Sequence, residues 1–546
     1  MRRWIQNIVA EAGARHGNSQ YPVIERRTMR NRVDAIGETR DNNDRQAFEA
    51  RNEPLTCLLS VLCILARTDN GEEHMVGRRQ SSAHIEFWRR RGYLLYQIRI
   101  FIEENLANGI HSPYIVELQD KENIKNMLDI KFIKENKDLV KAGAAKKHVE
   151  LDFDALFSLD TDRLNLQTAI ETARARQNQV SKEIPTADAS KKQTLLDEMK
   201  VLKADLQANE EKLKEVMKEW QLLMLRVPNI PDMSVPDGAS DKENKEVKAW
   251  GEKPTFPFEA KDHLDIMTSL RMVDFERGAK VHGFRGYFLT GPGARLSFAI
   301  WNYAMEFFSK RGFTPVIPPV IVRKENLYGT AHLPGDVEDY YMTQDGDALA
   351  GTAEVPLMAF HASETLDAKA LPLKYLGFSP CFRREAGSHS KDVKGLIRVH
   401  EFYKLEQVVL CEASHEESVK LHEEINRNTE EFIESLGIPY QTVVNCGADL
   451  GLGQVKKYDI NLWVPKETTY REISSASYFH DFQTRRFNIR YRDAEGKLKY
   501  AHSLNCTAIP TPRILVSLVE NNQQADGSVK IPPALQPYFG SDSIKK

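Results

Sequence analysis

Residues 375–407, YLGFSPCFRREAGSHSKDVKGLIRVHEFYKLEQ, decide the fold of the chain. An apolar run at 375–382 ends in the charged cluster Arg383-Arg384-Glu385, and a Gly-, Ser- and Lys-rich segment of turn character follows. A second alternating run covers 397–410, so the pattern predicts an antiparallel hairpin with a long loop. Arginines and carboxylates where the loop meets the strands suit nucleotide phosphates and a base edge, although a charged surface hairpin shows the same pattern.

Length and composition indicate an ordinary globular protein of several domains. The chain has 546 residues and a formal net charge of −3, so nucleic-acid contact requires local basic patches. The six cysteines form no CxxC pair and no Cys/His cluster of zinc spacing, which predicts free thiols in a reducing compartment. The longest apolar run, 54–66, is too short to span a bilayer. These features predict a cytoplasmic protein without a membrane segment.

Residues 1–126 differ in composition from the rest of the chain. They contain 17 Arg and 2 Lys, whereas residues 127–546 contain 20 Arg and 36 Lys. We therefore expect the functional protein to begin near Met127, with 1–126 an extension outside it. An Arg-rich targeting leader is the alternative, although 17 acidic residues in the segment speak against it. Mass spectrometry of the natively expressed protein tests this expectation, and peptides from 1–126 would contradict it.

Residues 155–226 have helical periodicity, within a helical region that we place at 127–230. Apolar positions spaced alternately by four and three residues form two seams, which predict a coiled coil. The seam residues are Leu166, Ile170, Ala173, Gln177, Val180 and Ile184, then Leu195, Met199, Leu202, Leu206, Asn209, Leu213, Val216, Trp220 and Leu223. A helix breaker and N-cap residues at 185–190 predict that the helices are antiparallel. The charged outer faces suit a phosphate backbone, or they keep a projecting arm soluble.

The remaining sequence predicts a linker at 231–260 and one mixed body at 261–546. Strand-like runs in the body are joined by hairpins or loops and seldom alternate with helices, which predicts a mostly antiparallel sheet flanked by helices. The fold class is therefore α+β, preceded by the helical arm. No GxGxxG or Walker-type loop follows a strand, which argues against a dinucleotide-binding fold or a P-loop.

Four further motifs accompany the hairpin. Residues 312–320 (GFTPVIPPV) suit a helix followed by an edge strand, and 350–356 (AGTAEVP) suit a turn presenting a hydroxyl and a carboxylate. Residues 504–515 (LNCTAIPTPRIL) suit a turn into a helix, with Arg513 where an anion is favoured. In 470–477 (YREISSAS), strand alternation predicts Glu472 and Ser474 on one face, Ile473 and Ser475 on the other, with oxygens that suit Mg²⁺.

In this order the motifs resemble motifs 1, 2 and 3 of the class II aminoacyl-tRNA synthetases. TAE, CFRREAG, GLIRVHEF and REISSAS, together with the N-terminal helical hairpin, resemble the seryl-tRNA synthetases. The resemblance implies ATP-dependent activation of L-serine to seryl-adenylate and transfer to the 3′ end of tRNA(Ser), and of tRNA(Sec) where present. It also implies Mg²⁺, a homodimer formed through motif 1 at 314–322, and an arm that binds tRNA(Ser).

The family's residue roles carry over to the matching positions of this sequence. Those implied for L-serine are Thr352, Ala353, Glu354, Glu406, Asn505 and Thr507. Those implied for ATP are Arg383, Arg384, Glu385, Val399, Phe402, Glu472, Ile473, Ser474, Ser475 and Arg513. Arg383, Glu472 and Arg513 take the catalytic roles, and Glu472 with Ser475 holds Mg²⁺ at the phosphates. Tyr478, Pro510 and Pro512 depart from residues frequent in relatives.

Three alternatives fit parts of the pattern. Another class II ligase, such as a prolyl or threonyl enzyme, usually has an anticodon-binding domain after motif 3, and 514–546 are too short for one. A tRNA-independent paralogue that loads carrier proteins is expected to lack the arm. A catalytically inactive RNA-binding regulator is expected to have lost phosphate or Mg²⁺ ligands, which are present in this sequence.

Overall fold

The computed structural model describes residues 129–335, 337–386, 392 and 394–546. The predicted extension at 1–126 lies outside the described residues. The described helices are α1 (Ile130–Glu135), α2 (Lys137–Lys146), α3 (Phe153–Glu183), α4 (Ala189–Arg226), α5 (His263–Ser269), α6 (Phe275–His282), α7 (Gly291–Ser309), α8 (Lys324–Gly329), α9 (Glu354–Phe360), α10 (His415–Ser435), α11 (Phe482–Phe487), α12 (Arg513–Asn521) and α13 (Gln536–Phe539). None of them is both long and apolar enough to cross a membrane.

The described strands are short at the margins of the body and long at its centre. They are β1 (Lys245–Trp250), β2 (Val273–Asp274), β3 (Phe288–Leu289), β4 (Thr314–Val316), β5 (Ile321–Val322), β6 (Ala348–Leu349), β7 (Thr365–Leu366), β8 (Leu373–Phe382), β9 (Glu401–Cys411), β10 (Tyr440–Val444), β11 (Lys456–Val464), β12 (Thr469–His480), β13 (Arg490–Arg492), β14 (Leu498–Tyr500), β15 (His502–Thr511), β16 (Val529–Lys530) and β17 (Ser543–Ile544).

Two long helices, α3 and α4, form an antiparallel arm. At a rise of 1.5 Å per residue they are about 46 and 57 Å long. A 3₁₀ turn at Ile184–Thr186 ends the first helix, and the Asp188 side chain caps the second by accepting a hydrogen bond from Lys191 N. All predicted seam residues are buried or half-buried. The predicted antiparallel coiled coil is therefore confirmed.

Ion pairs join the two helices of the arm. Arg176 donates from Nε and Nη2 to the two carboxylate oxygens of Glu198, at 2.6 and 2.9 Å. Arg174 Nη2 lies 2.7 Å from Glu210 Oε1. Exposed pairs of this kind add little stability, but they occupy arginines that the sequence pattern left available for a phosphate backbone. Exposed basic groups towards the tip include Lys182, Lys191 and Lys192.

Buried side chains fix the base of the arm against the body. Lys147 Nζ donates to the carbonyls of Gly451, Leu452 and Gln454 at 3.1, 2.9 and 2.6 Å. Asn229 Nδ2 donates to the carbonyls of Gly453 and Phe479 at 3.1 and 2.7 Å. Backbone groups are strong acceptors that must be satisfied when buried, so these bonds specify one docking geometry. An apolar cluster at the same place includes Ile133, Leu156, Trp220 and Met224.

The body is built on an eight-stranded sheet in the order β1-β10-β11-β12-β15-β9-β8-β4. Every neighbouring pair in it is antiparallel except the edge pair of β4 and β8. Helix α10 packs on β12 and β15, and α12 packs on β11 and β15. A mostly antiparallel sheet flanked by helices confirms the predicted α+β class, and β4 is an edge strand as its prolines predicted.

Four sequence-based assignments differ from the structure. β9 begins at Glu401 rather than near 397, because the carbonyl of Ile397 accepts from Arg513 Nε at 2.9 Å instead of from a neighbouring strand. The run at 314–322 is divided between two sheets, since prolines at 318–319 cannot donate to a ladder. Residues 504–515 are a strand that leads directly into α12, not a turn. Within the predicted linker at 231–260, β1 pairs with β10.

Asn229→Ala should lower the free energy of unfolding by about 1–3 kcal/mol, because two buried carbonyls lose their donor. Urea unfolding followed by circular dichroism measures this loss. Asn165→Ala, which changes an exposed asparagine of the arm, is the control and should unfold at the wild-type urea concentration. Equal stability of Asn229→Ala and the wild-type protein would contradict the docking geometry.

Candidate active site

A cavity lies where the β8–β9 loop meets β9, β12, β15 and the start of α12. Its lining brings together residues from the hairpin, from 470–477 and from 504–515, as the sequence predicted. The lining residues are Arg383, Glu385, Leu396, Ile397, Arg398, Val399, Phe402, Lys404, Glu472, Ile473, Thr507, Pro510, Thr511, Pro512 and Arg513. The predicted residues outside this lining are Arg384, Thr352, Ala353, Glu354, Glu406, Ser474, Ser475 and Asn505. Arg384 is exposed, and its backbone N–H donates to Asp339 O at 2.9 Å.

Two guanidinium groups mark one end of the cavity. The Arg383 guanidinium carbon lies 5.5 Å from the centroid of the Phe402 ring. Arg513 is held by backbone carbonyls, donating from Nε to Ile397 O at 2.9 Å and from Nη1 to Glu472 O at 3.0 Å. Burial, together with the charges of Arg383 and Arg398, lowers the pKa of Arg513. A bound phosphate would relieve this repulsion, so this end suits the polyphosphate of a nucleotide.

Glu385 is held by arginines beside the same end. Arg398 Nη1 donates to Glu385 Oε2 at 2.9 Å, and Arg285 Nη1 lies 3.9 Å from that oxygen. Arg398 also donates from Nε to Asp392 Oδ2 at 3.1 Å, so this arginine joins the end of the loop both to its beginning at Glu385 and to its middle. Sequence reasoning missed Arg398, because its partners become neighbours only when the loop folds back.

At the other end of the cavity, the lining residue Lys404 forms a buried ion pair with Glu406. Lys404 Nζ lies 2.6 Å from Glu406 Oε2, and the two side chains are 8% and 2% exposed. Thr507 Oγ1 donates to the same Glu406 oxygen at 3.2 Å and accepts from Lys404 Nζ at 3.4 Å. Charges buried to this degree persist only when they are paired and hydrogen-bonded. The predicted residues Glu406 and Thr507 are thus in contact, with a lysine that the sequence reasoning missed.

Glu354 brings a second carboxylate to this end. Its backbone N–H donates to Thr352 Oγ1 at 3.2 Å, and its Oε1 accepts from Gln483 Nε2 at 2.6 Å. Burial, and next the negative charge of Glu406, raises the pKa of Glu354 to about 7, against the opposing effects of Gln483, Lys404 and Asn505. Two carboxylates and one ammonium are therefore buried close together beside the cavity, an arrangement that suits a cationic ligand.

Gly377 on β8 allows helix α9 to pack closely against the sheet. Gly377 on β8 lies opposite Glu406, and a Cβ at this position would lie 2.8 Å from the Cβ of Ala353. Ala353 is fully buried and immediately precedes Glu354. The missing side chain thus sets the distance between the two carboxylates of the pocket.

A β-bulge corrects the predicted facing of residues 470–477. Ser474 pairs with Ile460 whereas Glu472 pairs with Asn461, so Ile473 is the additional residue on β12. Glu472 and Ser475 therefore share a face, opposite Asn461 and Asp459, and the simple alternation was wrong. Ile473 and Ser474 are buried, and Ser474 Oγ donates to Thr507 O at 2.5 Å.

Sequence signals for the missed residues differ in strength. Strand alternation from Phe402 to Glu406 places Lys404 on the same face, so Lys404 was within reach of sequence reasoning. Gln483 was not, because its helix α11 was not predicted and its partner Glu354 is 129 residues away. Gln483 Oε1 accepts from Ser503 Oγ at 2.8 Å, which fixes the amide that holds Glu354.

Known proteins resemble this chain over the same residues. Residues 340–522 match the family model for the tRNA synthetase class II core domain (G, H, P, S and T), and residues 127–231 match the seryl-tRNA synthetase N-terminal domain. The serine–tRNA ligase of Deinococcus radiodurans is 46% identical over 419 residues, covering 77% of this chain and 99% of that protein. That of Thermodesulfovibrio yellowstonii is 42% identical over 426 residues, covering 77% and 100%.

Two solved structures also resemble this chain. The crystal structure of seryl-tRNA synthetase from Pyrococcus horikoshii complexed with ATP has a TM-score of 0.70 at 39% identity, covering 77% of this chain and 99% of that chain. The cytoplasmic serine–tRNA ligase of Naegleria fowleri in complex with AMP has a TM-score of 0.67 at 30% identity, with the same coverage.

Glu354→Gln should stabilise the protein at pH 8 and have less effect at pH 5. The pKa of about 7 in the folded state exceeds the ordinary value of 4.5, so wild-type stability falls as the pH rises through this window. The neutral amide avoids that loss while still accepting from Gln483. Thermal unfolding at both pH values measures the difference, with the exposed Glu495→Gln as the control. A stabilisation independent of pH would contradict the raised pKa.

Proposed function

This chain belongs to the seryl-tRNA synthetase family, and we propose on that premise that it activates L-serine with ATP and transfers the serine to the 3′ end of tRNA(Ser). The supporting observation is one cavity lined by two guanidinium groups at one end and by Lys404 at the other, where Lys404 is paired with the buried Glu406 and the buried Glu354 is close by. These ends suit a nucleotide and an amino acid, respectively. Where tRNA(Sec) is present, the same transfer to it is expected.

ATP would occupy the guanidinium end. Arg383 would contact the α-phosphate and Arg513 the γ-phosphate, with Phe402 stacking on adenine beside Val399. Glu385 would accept from the adenine amino group. Backbone around Ile473 and Ser474 would complete the predicted ATP site, and Arg384 would contribute from the solvent side. Little covalent chemistry falls to the protein, so catalysis here consists of positioning and charge stabilisation.

Serine would occupy the carboxylate end. Thr352 and Glu354, with Glu406, would bind its ammonium, and Asn505 with Thr507 would read its hydroxyl. The serine carboxylate oxygen then forms a bond to the α-phosphorus while the bond to the β-phosphate bridging oxygen breaks and pyrophosphate leaves. A terminal ribose hydroxyl of tRNA next attacks the acyl carbon, and AMP leaves. Alanine lacks the hydroxyl and would leave the buried polar groups that read it unpaired, which provides selectivity for serine over alanine.

The residues of the β12 bulge fit Mg²⁺. Glu472 is exposed, and Ser475 lies on the same face, so a carboxylate and a hydroxyl present hard oxygen donors beside Arg513. Mg²⁺ binds few protein oxygens and retains waters or phosphate oxygens. Bound there with ATP, it would offset phosphate charge.

A homodimer through motif 1 is supported by exposed apolar side chains. Phe298 on α7, and Ile317 and Ile321 around β4 and β5, are 62%, 81% and 58% exposed. An apolar patch beside an edge strand suits an interface between copies of the chain.

The arm would contact tRNA(Ser) through its basic tip. Cytoplasmic location stays a prediction from the sequence.

Serine-dependent exchange of pyrophosphate with ATP, followed by charging of tRNA(Ser), tests the proposed function. We expect exchange with serine and far less with alanine, threonine or proline. Absence of exchange with serine would refute the function. Exchange without charging would indicate the carrier-loading alternative.

Arg383→Ala should reduce kcat for pyrophosphate exchange by about 10²–10³-fold, because a preorganised charge at the α-phosphate is lost. Arg492→Ala, an exposed arginine of β13 outside the cavity, is the control and should exchange at the wild-type rate. An Arg383→Ala protein with wild-type kcat would place the α-phosphate elsewhere.

Replacing residues 166–213 by a short Gly/Ser linker should leave exchange intact and abolish charging. Asn165 and Lys214 line the same groove between α3 and α4, so the two cut ends face each other. The apolar cluster at the arm base, with Leu156 and Trp220, remains. Equal charging of tRNA(Ser) by the truncated and full-length proteins would refute the role of the arm.

A further inference from the structure

Lys404 lies between the two ends of the cavity. Phe402, Lys404 and Glu406 alternate onto one face of β9, at steps of about 6.6 Å. Phe402 belongs to the guanidinium end, beside Arg383, and Glu406 belongs to the carboxylate end, beside Thr507. Lys404 therefore occupies the junction where an amino acid and a nucleotide would meet.

The contacts of Lys404 leave room for another acceptor. Among the described residues its hydrogen-bond acceptors are Glu406 Oε2 at 2.6 Å and Thr507 Oγ1 at 3.4 Å. An ammonium group carries three N–H donors, so one donor remains for a ligand. The ion pair with Glu406 also holds the lysine stem in place, which preorganises that donor.

The reaction places two like charges at this junction. The serine carboxylate must come within bonding distance of the α-phosphate, and both are anions. Arg383 and Arg513 lie on the phosphate side, and the buried carboxylates of Glu354 and Glu406 lie beside Lys404. A cation at this junction would offset the repulsion of the serine carboxylate by the α-phosphate and by the two glutamates. The effect is large because charges buried away from water interact strongly.

We propose that Lys404 is a further catalytic residue, which donates its third N–H to the serine carboxylate and holds it against the α-phosphate. This role rests on the proposed function. Lys404 transfers no proton: the carboxylate oxygen forms the bond to phosphorus, pyrophosphate leaves, and the ammonium remains paired with Glu406. The lysine thus orients the nucleophile, while Glu354 and Glu406 recognise the ammonium at the other end of serine.

Binding of L-serine and L-serinamide tests this role, because the amide keeps the ammonium and hydroxyl but lacks the carboxylate charge. Calorimetry in the presence of a non-hydrolysable ATP analogue gives both dissociation constants. We expect the wild-type protein to prefer serine by about 10- to 100-fold, the contribution of one charge-assisted hydrogen bond. In Lys404→Met the preference should fall to near one, and kcat for exchange should fall by a similar factor.

Two further variants separate this role from simple charge neutralisation. Lys404→Met with Glu406→Gln removes both buried charges, and its preference for serine should also be near one. A wild-type preference in either Lys404→Met protein would overturn the proposal. Lys374→Met removes a paired lysine outside the cavity, 2.6 Å from Glu424, and should keep the wild-type preference. Wild-type exchange with serine tests the proposed function alone, so its failure is distinguishable from failure at Lys404.

Discussion

Two carboxylates and one ammonium buried in a single cluster are the constraint on which the active site depends. Charges removed from water are costly unless they are paired, so Glu354, Lys404 and Glu406 require partners in fixed places. β9 supplies Lys404 and Glu406, β15 supplies Thr507, and α11 supplies Gln483. These contacts hold one carboxylate in excess, which is what a ligand with a single ammonium needs. The antiparallel order of the sheet is what brings the supplying strands side by side.

At the nucleotide end, backbone carbonyls fix one of the two guanidinium groups, that of Arg513. Arg513 donates to the carbonyls of Ile397 and Glu472, so the loop and β12 share one guanidinium. Because of the same contact β9 begins only at Glu401, and the bulge at Ile473 turns Glu472 and Ser475 to one face. Irregular backbone at this end is therefore part of the site, because each irregularity aims a polar group into or beside the cavity.

Local patterns predicted much of this structure. The seams of the arm, the long-looped hairpin and the mostly antiparallel sheet follow from periodicity and turn residues, and the motif residues could be placed by resemblance. The bulge at Ile473 could not be predicted, because one additional residue leaves no mark in an alternating sequence. Gln483 and Arg398 could not be predicted either, since their partners are distant in sequence or lie across a folded loop. The arginines of the arm resembled free phosphate ligands until the second helix placed Glu198 and Glu210 beside them.

Proton release on serine binding tests the charge balance of the pocket most directly. Burial raises the pKa of Glu354 to about 7, and the arriving ammonium should lower it again. Serine binding should therefore release about half a proton per site near pH 7, where the amino group of free serine is already an ammonium. Calorimetric titration of the protein and a non-hydrolysable ATP analogue with serine, in buffers of different ionisation enthalpy, measures this number. A binding heat that changes with the buffer at pH 7 is the predicted result; a heat independent of the buffer at pH 7 would contradict it.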